Sequence, residues 1–197
     1  MYQELYLKIA DALVDDGYVV VDQALNPKLV NTLLEQAQTQ EGFKKAGISS
    51  ASDVHIDNTR RRDKIRWLDA QSFAEGEFLS FCNGLREYLN KELYLGLSYY
   101  ESHFAIYDKG DFYETHLDAF KNSKNRVVTT VYYLNEEWSE RDGGELLVYD
   151  MEHNLITTIL PRANTLVVFL SDKFPHEVRP AHKKRYSIAG WFRVDKV

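Results

Sequence analysis

The sequence predicts a mainly β protein with supporting α-helices, folded as a double-sheet antiparallel barrel with the helices outside. Two observations carry this expectation. Long amphipathic helical patterns are confined to the first half of the chain, whereas from Gly96 onward short β-rich runs alternate with turn signals. Helices therefore come first and many evenly spaced strands afterwards, the order of a double-sheet antiparallel barrel with supporting helices outside. There is also no internal repeat, low-complexity tract or linker, so the 197 residues read as one domain. Residues 1–95 would supply helical support, the first strands and a loop, and residues 96–197 the barrel core.

The elements follow in order. Tyr2 to Asp16 sets Leu5, Ile9, Ala12 and Leu13 on one helical face. Gly17 to Asp22 reads as a strand. Asn26-Pro27 is a cap followed by proline at the first helical position, and Leu29, Val30, Leu33 and Leu34 supply the stripe behind it. Gly42 to Asp63 is rich in Ser, Asp, Arg and Gly and reads as a long exposed loop, either a functional lid or a disordered insertion. Ile65 to Leu68 is a further strand. Ser72 to Leu93 is the third helix, with Phe78, Phe81, Leu85, Tyr88 and Leu89 at helical spacing. The barrel strands are expected at Tyr99–Tyr107, Arg126–Leu134, Leu146–Tyr149, Leu155–Leu160, Thr165–Leu170 and Tyr186–Val194, rich in Val, Ile, Thr, Tyr and Phe.

Composition removes several function classes. The net charge of −6 disfavours a protein built to grip phosphate backbones. A single cysteine, Cys82, excludes an intramolecular disulfide and every cysteine-rich zinc motif. No apolar run approaches the roughly 18 residues of a membrane helix, and the acid-bearing Met1 to Asp16 does not resemble a signal peptide. A cytoplasmic location is the expectation.

Six histidines are the natural place to look for chemistry. The pattern His-x-Asp occurs twice, as His55-Ile56-Asp57 and His116-Leu117-Asp118. The first copy lies in the polar loop, where a rigid metal site is hard to hold. The second follows a strand and an Asp-Lys-Gly-Asp turn, so its side chains can project from the rim of a fixed sheet. A metal there needs a third ligand, and the β-rich half offers His153, His176 and His182. His153 sits in a turn and His182 beside two lysines, whereas His176 directly follows the apolar strand ending at Leu170. Two histidines and one carboxylate with open positions suit non-haem Fe(II) and oxygen chemistry. Arg185, at the start of the next strand, can bind a carboxylate through two parallel hydrogen bonds.

Beyond these ligands the chain resembles a family. His116-x-Asp118, His176 and Arg185 are similar to the set found in 2-oxoglutarate-dependent Fe(II) dioxygenases of the prolyl-hydroxylase branch. Val128-Thr129-Thr130-Val131-Tyr132-Tyr133-Leu134-Asn135, Gly143-Gly144-Glu145-Leu146, Pro175-His176-Glu177-Val178 and Arg185-Tyr186-Ser187-Ile188 resemble the catalytic core of the hypoxia-inducible-factor prolyl hydroxylases. Arg61-x-Asp63-Lys64-Ile65-x-Trp67 is similar to the end of their substrate-covering loop. The matches run in order over most of residues 17–195.

The resemblance implies a double-stranded β-helix, the jelly-roll barrel, using Fe(II), 2-oxoglutarate and molecular oxygen, with ascorbate as an accessory reductant. His116, Asp118 and His176 would bind iron. Arg185 would pair with the distal carboxylate of 2-oxoglutarate and Tyr132 would donate to the same carboxylate. Tyr107 would lie near the keto-acid end, although the segment between Tyr107 and His116 is one residue shorter than in the animal enzymes. Trp191 would stand behind the metal site, Arg126 near the substrate entrance, and Arg61 and Asp63 at the pocket rim. The implied reaction is hydroxylation of a prolyl residue in a protein or peptide partner, for which a translation factor such as elongation factor Tu is one candidate. Neither nucleic acid nor membrane is implied as a partner, and the oligomeric state is left open. The alternatives are the same chemistry on a free amino acid or other small metabolite and, more remotely, a non-catalytic barrel that binds a partner.

Overall fold

The computed structural model describes residues 2–49, 54–55, 57–119 and 125–195. Three helices, α1 (Gln3–Asp15), α2 (Pro27–Thr39) and α3 (Phe73–Leu93), stand where the apolar spacing puts them. Their starts are set by side chains. Asn26 accepts from the Lys28 N–H with Pro27 behind it, and Ser72 accepts from the Glu75 N–H. The buried face of α1 is rotated slightly from the expected one, with Tyr6, Ile9, Ala10 and Leu13 inward and Leu5 and Ala12 only partly covered.

Thirteen strands follow among the described residues: β1 (Tyr18–Val21), β2 (Lys44–Lys45), β3 (Ile48–Ser49), β4 (Val54–His55), β5 (Lys64–Trp67), β6 (Tyr99–Tyr107), β7 (Tyr113–His116), β8 (Arg126–Tyr133), β9 (Leu146–Tyr149), β10 (Leu155–Ile159), β11 (Leu166–Leu170), β12 (His176–Val178) and β13 (Arg185–Arg193). They form a seven-stranded sheet in the order β1-β11-β8-β13-β6-β5-β2 and a four-stranded sheet in the order β10-β9-β12-β7, with all named pairs antiparallel. The segment expected to be a plain exposed loop, Gly42 to Asp63, instead carries β2, which extends the large sheet through β5, and the β3–β4 ribbon. Residues 50–53 and 56, central to that expectation, lie outside the described residues, as does the side chain of His55. Two further short strands, β7 and β12, also fall outside the sequence expectation, and they pair with each other in the small sheet.

The large sheet is apolar on both faces, and strand alternation sorts its side chains. Phe104, Val128, Tyr132, Leu134, Leu166, Val168, Ile188 and Phe192 pack against the helices. Ala105, Tyr107, Val131, Tyr133, Val167 and Phe169 point the other way, into a second core shared with Leu146, Val148 and Val178 of the small sheet. The two sheets thus close on each other around an interior that opens at one end. No helix among the described residues is long and apolar enough to cross a membrane.

Candidate active site

The open end is a cavity of about 540 Å³ lined by both sheets. His116 ends β7 and His176 begins β12, and the two are register partners across the ladder. Their rings lie 4.3 Å apart between centroids. Each ring is held by its Nδ1, which hydrogen-bonds a backbone carbonyl: Glu114 O at 2.8 Å for His116 and Phe174 O at 2.9 Å for His176. A carbonyl only accepts, so both Nδ1 atoms carry the proton and both Nε2 lone pairs are left to face inward. Asp118 meets them there, with Oδ1 3.8 Å from Nε2 of His116 and Oδ2 3.5 Å from Nε2 of His176. The Thr129 hydroxyl donates to Asp118 Oδ2 at 2.8 Å and is itself 2.8 Å from Ser171 Oγ. Tyr113 stacks on His116 at 3.6 Å, and Phe169 meets His176 edge-on.

Electrostatics keep His116 and Asp118 in their ligating forms. Burial, reinforced by the neighbouring His176, lowers His116 to about 3. Burial works against ionisation of Asp118, but His176, His116 and Arg126 outweigh it and hold the carboxyl at about 2. One ligand atom from each of His116, Asp118 and His176 falls within 4.8 Å of the others, the single such cluster among the described residues. Two imidazole nitrogens and a carboxylate gathered on one side fit a divalent first-row metal that keeps open positions for other ligands.

Deeper in the cavity lies Arg185, 1% exposed. Its Nε donates to Gly144 O at 2.9 Å and its Nη1 to Ser187 Oγ at 3.2 Å, while the guanidinium sits over the rings of Tyr107 and Tyr133 at 4.8 and 5.1 Å. It makes no ion pair among the described residues. A buried cation left without an anion is costly, so this position is built to receive one. Gly144 makes the approach possible. At its φ of +70° an added Cβ would stand 3.0 Å from Arg185 Cδ.

Most of the expected site residues come together here. His116, Asp118, His176, Arg185, Tyr107, Trp191, Arg126 and Arg61 all line the cavity. Trp191 presents a buried indole N–H that makes no hydrogen bond of ordinary geometry but lies near enough to Asp118 to favour its carboxylate. Arg126 lies over that indole at 3.8 Å, 3.9 Å from Asp118 Oδ1 and 3.5 Å from Glu101 Oε1. Asp63 is not a free group at the rim: it is 1% exposed and takes both Nε and Nη2 of Arg61, at 2.6 and 2.9 Å. Arg61 in turn lies over Tyr113 at 4.5 Å.

Tyr132 is elsewhere. It pairs with Ile188 and Leu166 on the helix side of the sheet, stacks on Phe78, and donates to Asn164 Oδ1 at 2.9 Å. Its chain neighbour Tyr133 faces the barrel interior opposite Ser187, with a buried hydroxyl that lies near the Arg185 guanidinium but makes no hydrogen bond of ordinary geometry. Burial pushes that phenol up to about 12, against the pull of Arg185. The parity of β8 distinguishes the two: Tyr133 shares a face with Thr129 and Val131, and Tyr132 with Val128. Of the remaining histidines, His153 occupies an exposed turn and His182 hydrogen-bonds Arg141 O, both outside the cluster. His103, not anticipated as a site residue, lines the cavity between Trp67 and Trp191.

A two-sheet barrel with two histidines, one aspartate and a buried arginine at its open end defines a non-haem iron oxygenase. Residues 102–193 match the 2OG-Fe(II) oxygenase superfamily. The chain is 36% identical to a prolyl-4-hydroxylase of Pseudomonas putida, covering 96% of this chain and 99% of that one with a TM-score of 0.88. A prolyl hydroxylase of Trichoplax adhaerens, solved with a peptide fragment of the hypoxia-inducible factor oxygen degradation domain, is 28% identical over 96% of this chain and 89% of that one, with a TM-score of 0.83. Human Egl nine homolog 1 is 32% identical over 153 residues, which make up 74% of this chain and 35% of that protein. The chain belongs to the 2-oxoglutarate- and Fe(II)-dependent dioxygenases, in the prolyl 4-hydroxylase family. Its barrel is the double-stranded β-helix of that class, and His116, Asp118 and His176 are its facial triad.

Proposed function

We propose that this chain hydroxylates a prolyl residue within a protein or peptide. The observation that carries the reading is the buried, unpaired Arg185 at the floor of the cavity whose wall holds the triad. When bound, Fe(II) supplies the redox chemistry that couples oxygen-driven decarboxylation of 2-oxoglutarate to hydroxylation of a C–H bond. The protein supplies placement. The Nδ1 anchors of His116 and His176 aim Nε2 at the metal, and Thr129 orients Asp118 by donating to Oδ2. Arg185 binds the distal carboxylate of 2-oxoglutarate, and the Tyr133 hydroxyl, in place of Tyr132, donates to it. Tyr107 lies beside Arg185 along the length of the cosubstrate. Val131, Leu146 and Val178 make that part of the cavity apolar. Trp191 and Arg126 flank the triad on the substrate side, and Arg61, locked to Asp63, braces Tyr113 against His116.

A polypeptide substrate is favoured over a small metabolite by the mouth. It is bordered by β2, β5 and the half-exposed Trp67, a surface on which an extended chain can lie. The likeness to the Trichoplax enzyme solved with a peptide supports the same choice. A module that only binds a partner has no use for Arg185. A cytoplasmic setting, ascorbate as reductant and a translation factor as the first protein substrate to assay complete the proposal. The test compares proline-containing peptides with free proline for substrate-dependent succinate formation, and locates the added oxygen by tandem mass spectrometry. Hydroxylation of a prolyl residue in a peptide is the expected result. Turnover with free proline and none with any peptide or protein would replace this reading with the small-metabolite one.

A further inference from the structure

We infer that His103 is a substrate-binding residue whose Nε2 accepts a hydrogen bond from a backbone N–H next to the target proline; the inference rests on the peptide reading above. His103 lies on β6, in register with Ala189 of β13 on one side and Trp67 of β5 on the other. Its parity is that of Ala105 and Tyr107, so it faces the cavity. The ring meets Trp67 edge-on at 5.2 Å and leans on Trp191 at 5.4 Å, so two indoles fix its plane. Nδ1 is 3.1 Å from Phe104 O, and since that oxygen only accepts, the proton sits on Nδ1. Nε2 is left as an acceptor with no hydrogen bond among the described residues. Burial and the nearby Arg61 lower the ring to about 4, so the lone pair is present at neutral pH.

Donors and acceptors at the mouth are unevenly matched. A peptide in the mouth offers carbonyl oxygens and, on either side of the N–H-less proline, backbone N–H donors. The side chains around the mouth are mainly donors, Arg61, Arg126 and Lys44, with the Trp191 indole turned toward Asp118. The nearby carboxylates are committed, Asp63 to Arg61 and Glu101 to Arg193 and Arg126. Thr129 is spent on Asp118. Among the described side chains of this wall, Nε2 of His103 is an acceptor held in place with no partner of its own. A buried donor left without a partner on binding costs more than the bond itself contributes.

The experiment pairs two variants with a set of peptides. His103→Phe keeps a ring between the indoles and removes the acceptor, and His103→Gln returns an amide oxygen to the same wall. Each backbone amide flanking the target proline is replaced in turn by an ester, which deletes one N–H. Binding is read by fluorescence anisotropy with Mn(II) in place of iron and 2-oxoglutarate present, alongside KM and kcat with iron. Loss of one hydrogen bond should weaken peptide binding by roughly 5–10-fold in His103→Phe, with the KM for 2-oxoglutarate unchanged within about twofold and part of the loss restored in His103→Gln. One ester should produce the same loss in the wild type and almost none in His103→Phe. Peptide affinity unchanged in His103→Phe, or an ester penalty equal in both proteins, would overturn the inference while leaving prolyl hydroxylation intact. If His103→Phe does not fold, the scan on wild type and His103→Gln decides, and a wild type indifferent to every ester refutes it. A wild type that binds no proline peptide removes both this inference and the reading it rests on.

Discussion

Replacing Arg185 with methionine keeps an unbranched apolar stem, shorter than arginine, and removes the charge and every donor. In the ligand-free protein two effects oppose each other. A buried guanidinium with no ion-pair partner among the described residues disappears, which relieves a desolvation cost. Gly144 O and Ser187 Oγ lose their donor, a cost of about 1–3 kcal/mol for a buried group. Net stability should therefore change by no more than about 2 kcal/mol. Cosubstrate binding should change far more. Two charge-assisted hydrogen bonds to a carboxylate, at about 1.5–3 kcal/mol each, amount to roughly two to four orders of magnitude in affinity. The assay is thermal unfolding with a redox-inert divalent metal in place of iron, with and without 2-oxoglutarate. At a ligand concentration about 100 times Kd the wild type gains about 2.7 kcal/mol, which for a chain of this length raises Tm by roughly 5–10 °C. The same concentration should move Arg185→Met by less than about 2 °C. A variant that kept the wild-type shift would refute the assignment. One that lost more than about 4 kcal/mol without ligand would mark Arg185 as a structural residue instead.

The two adjacent tyrosines should separate cleanly. Tyr133→Phe removes an unpartnered hydroxyl and should weaken 2-oxoglutarate binding by roughly 5–10-fold, whereas Tyr132→Phe breaks the bond to Asn164, costs about 1 kcal/mol of stability and leaves cosubstrate affinity alone; isothermal titration and denaturant unfolding check both. Gly144→Ala forces a Cβ to within 3.0 Å of Arg185 Cδ at a φ of +70°, so it should cost about 1–3 kcal/mol and displace the guanidinium, seen as a lower Tm and weaker cosubstrate binding together. Stability should also fall as the metal-free protein is acidified. His103 is lowered from 6.5 to about 4 by burial, so between those values the unfolded chain binds a proton that the native state refuses. Stability present above pH 6.5 is lost as pH drops towards 4, by about 2 kcal/mol between pH 7 and 5 from this group. Denaturant titrations of wild type and His103→Phe should show the variant losing less over that window, and parallel losses would place the buried charge cost elsewhere.

Much of this architecture is legible in the sequence because its signals are local. Asn26-Pro27 and Ser72 mark helix starts through bonds their own side chains make, and long apolar runs such as Leu166–Leu170 can only be doubly covered strands. The strands carrying the two iron-binding histidines are hidden for the opposite reason. β7 reads Tyr-Glu-Thr-His and β12 is three residues long, so neither has a run of its own, and each exists because it pairs with the other. The Gly42–Asp63 segment misleads similarly, since Lys44–Lys45 is a strand only by virtue of Ile65 and Lys64 beside it. Choosing Tyr132 over Tyr133 is an error of one residue that strand parity turns into an error of a whole sheet thickness. The signal was present: Tyr133 shares its parity with Thr129 and Val131 along β8, whereas Tyr132 falls in step with Val128. His103 carries no motif, and its position emerges only once β5, β6 and β13 are laid side by side.

The central claim is that the triad of His116, Asp118 and His176, with Arg185 behind it, hydroxylates a prolyl residue at the expense of 2-oxoglutarate and oxygen. The most direct measurement runs the peptide reaction under heavy-isotope oxygen gas and follows both products by mass spectrometry, with His176→Ala in parallel. One heavy oxygen on the prolyl ring and one in succinate, formed in equal amounts, are expected, with neither product from His176→Ala. A prolyl product carrying oxygen from water, or equal turnover by His176→Ala at matched iron, would contradict that claim.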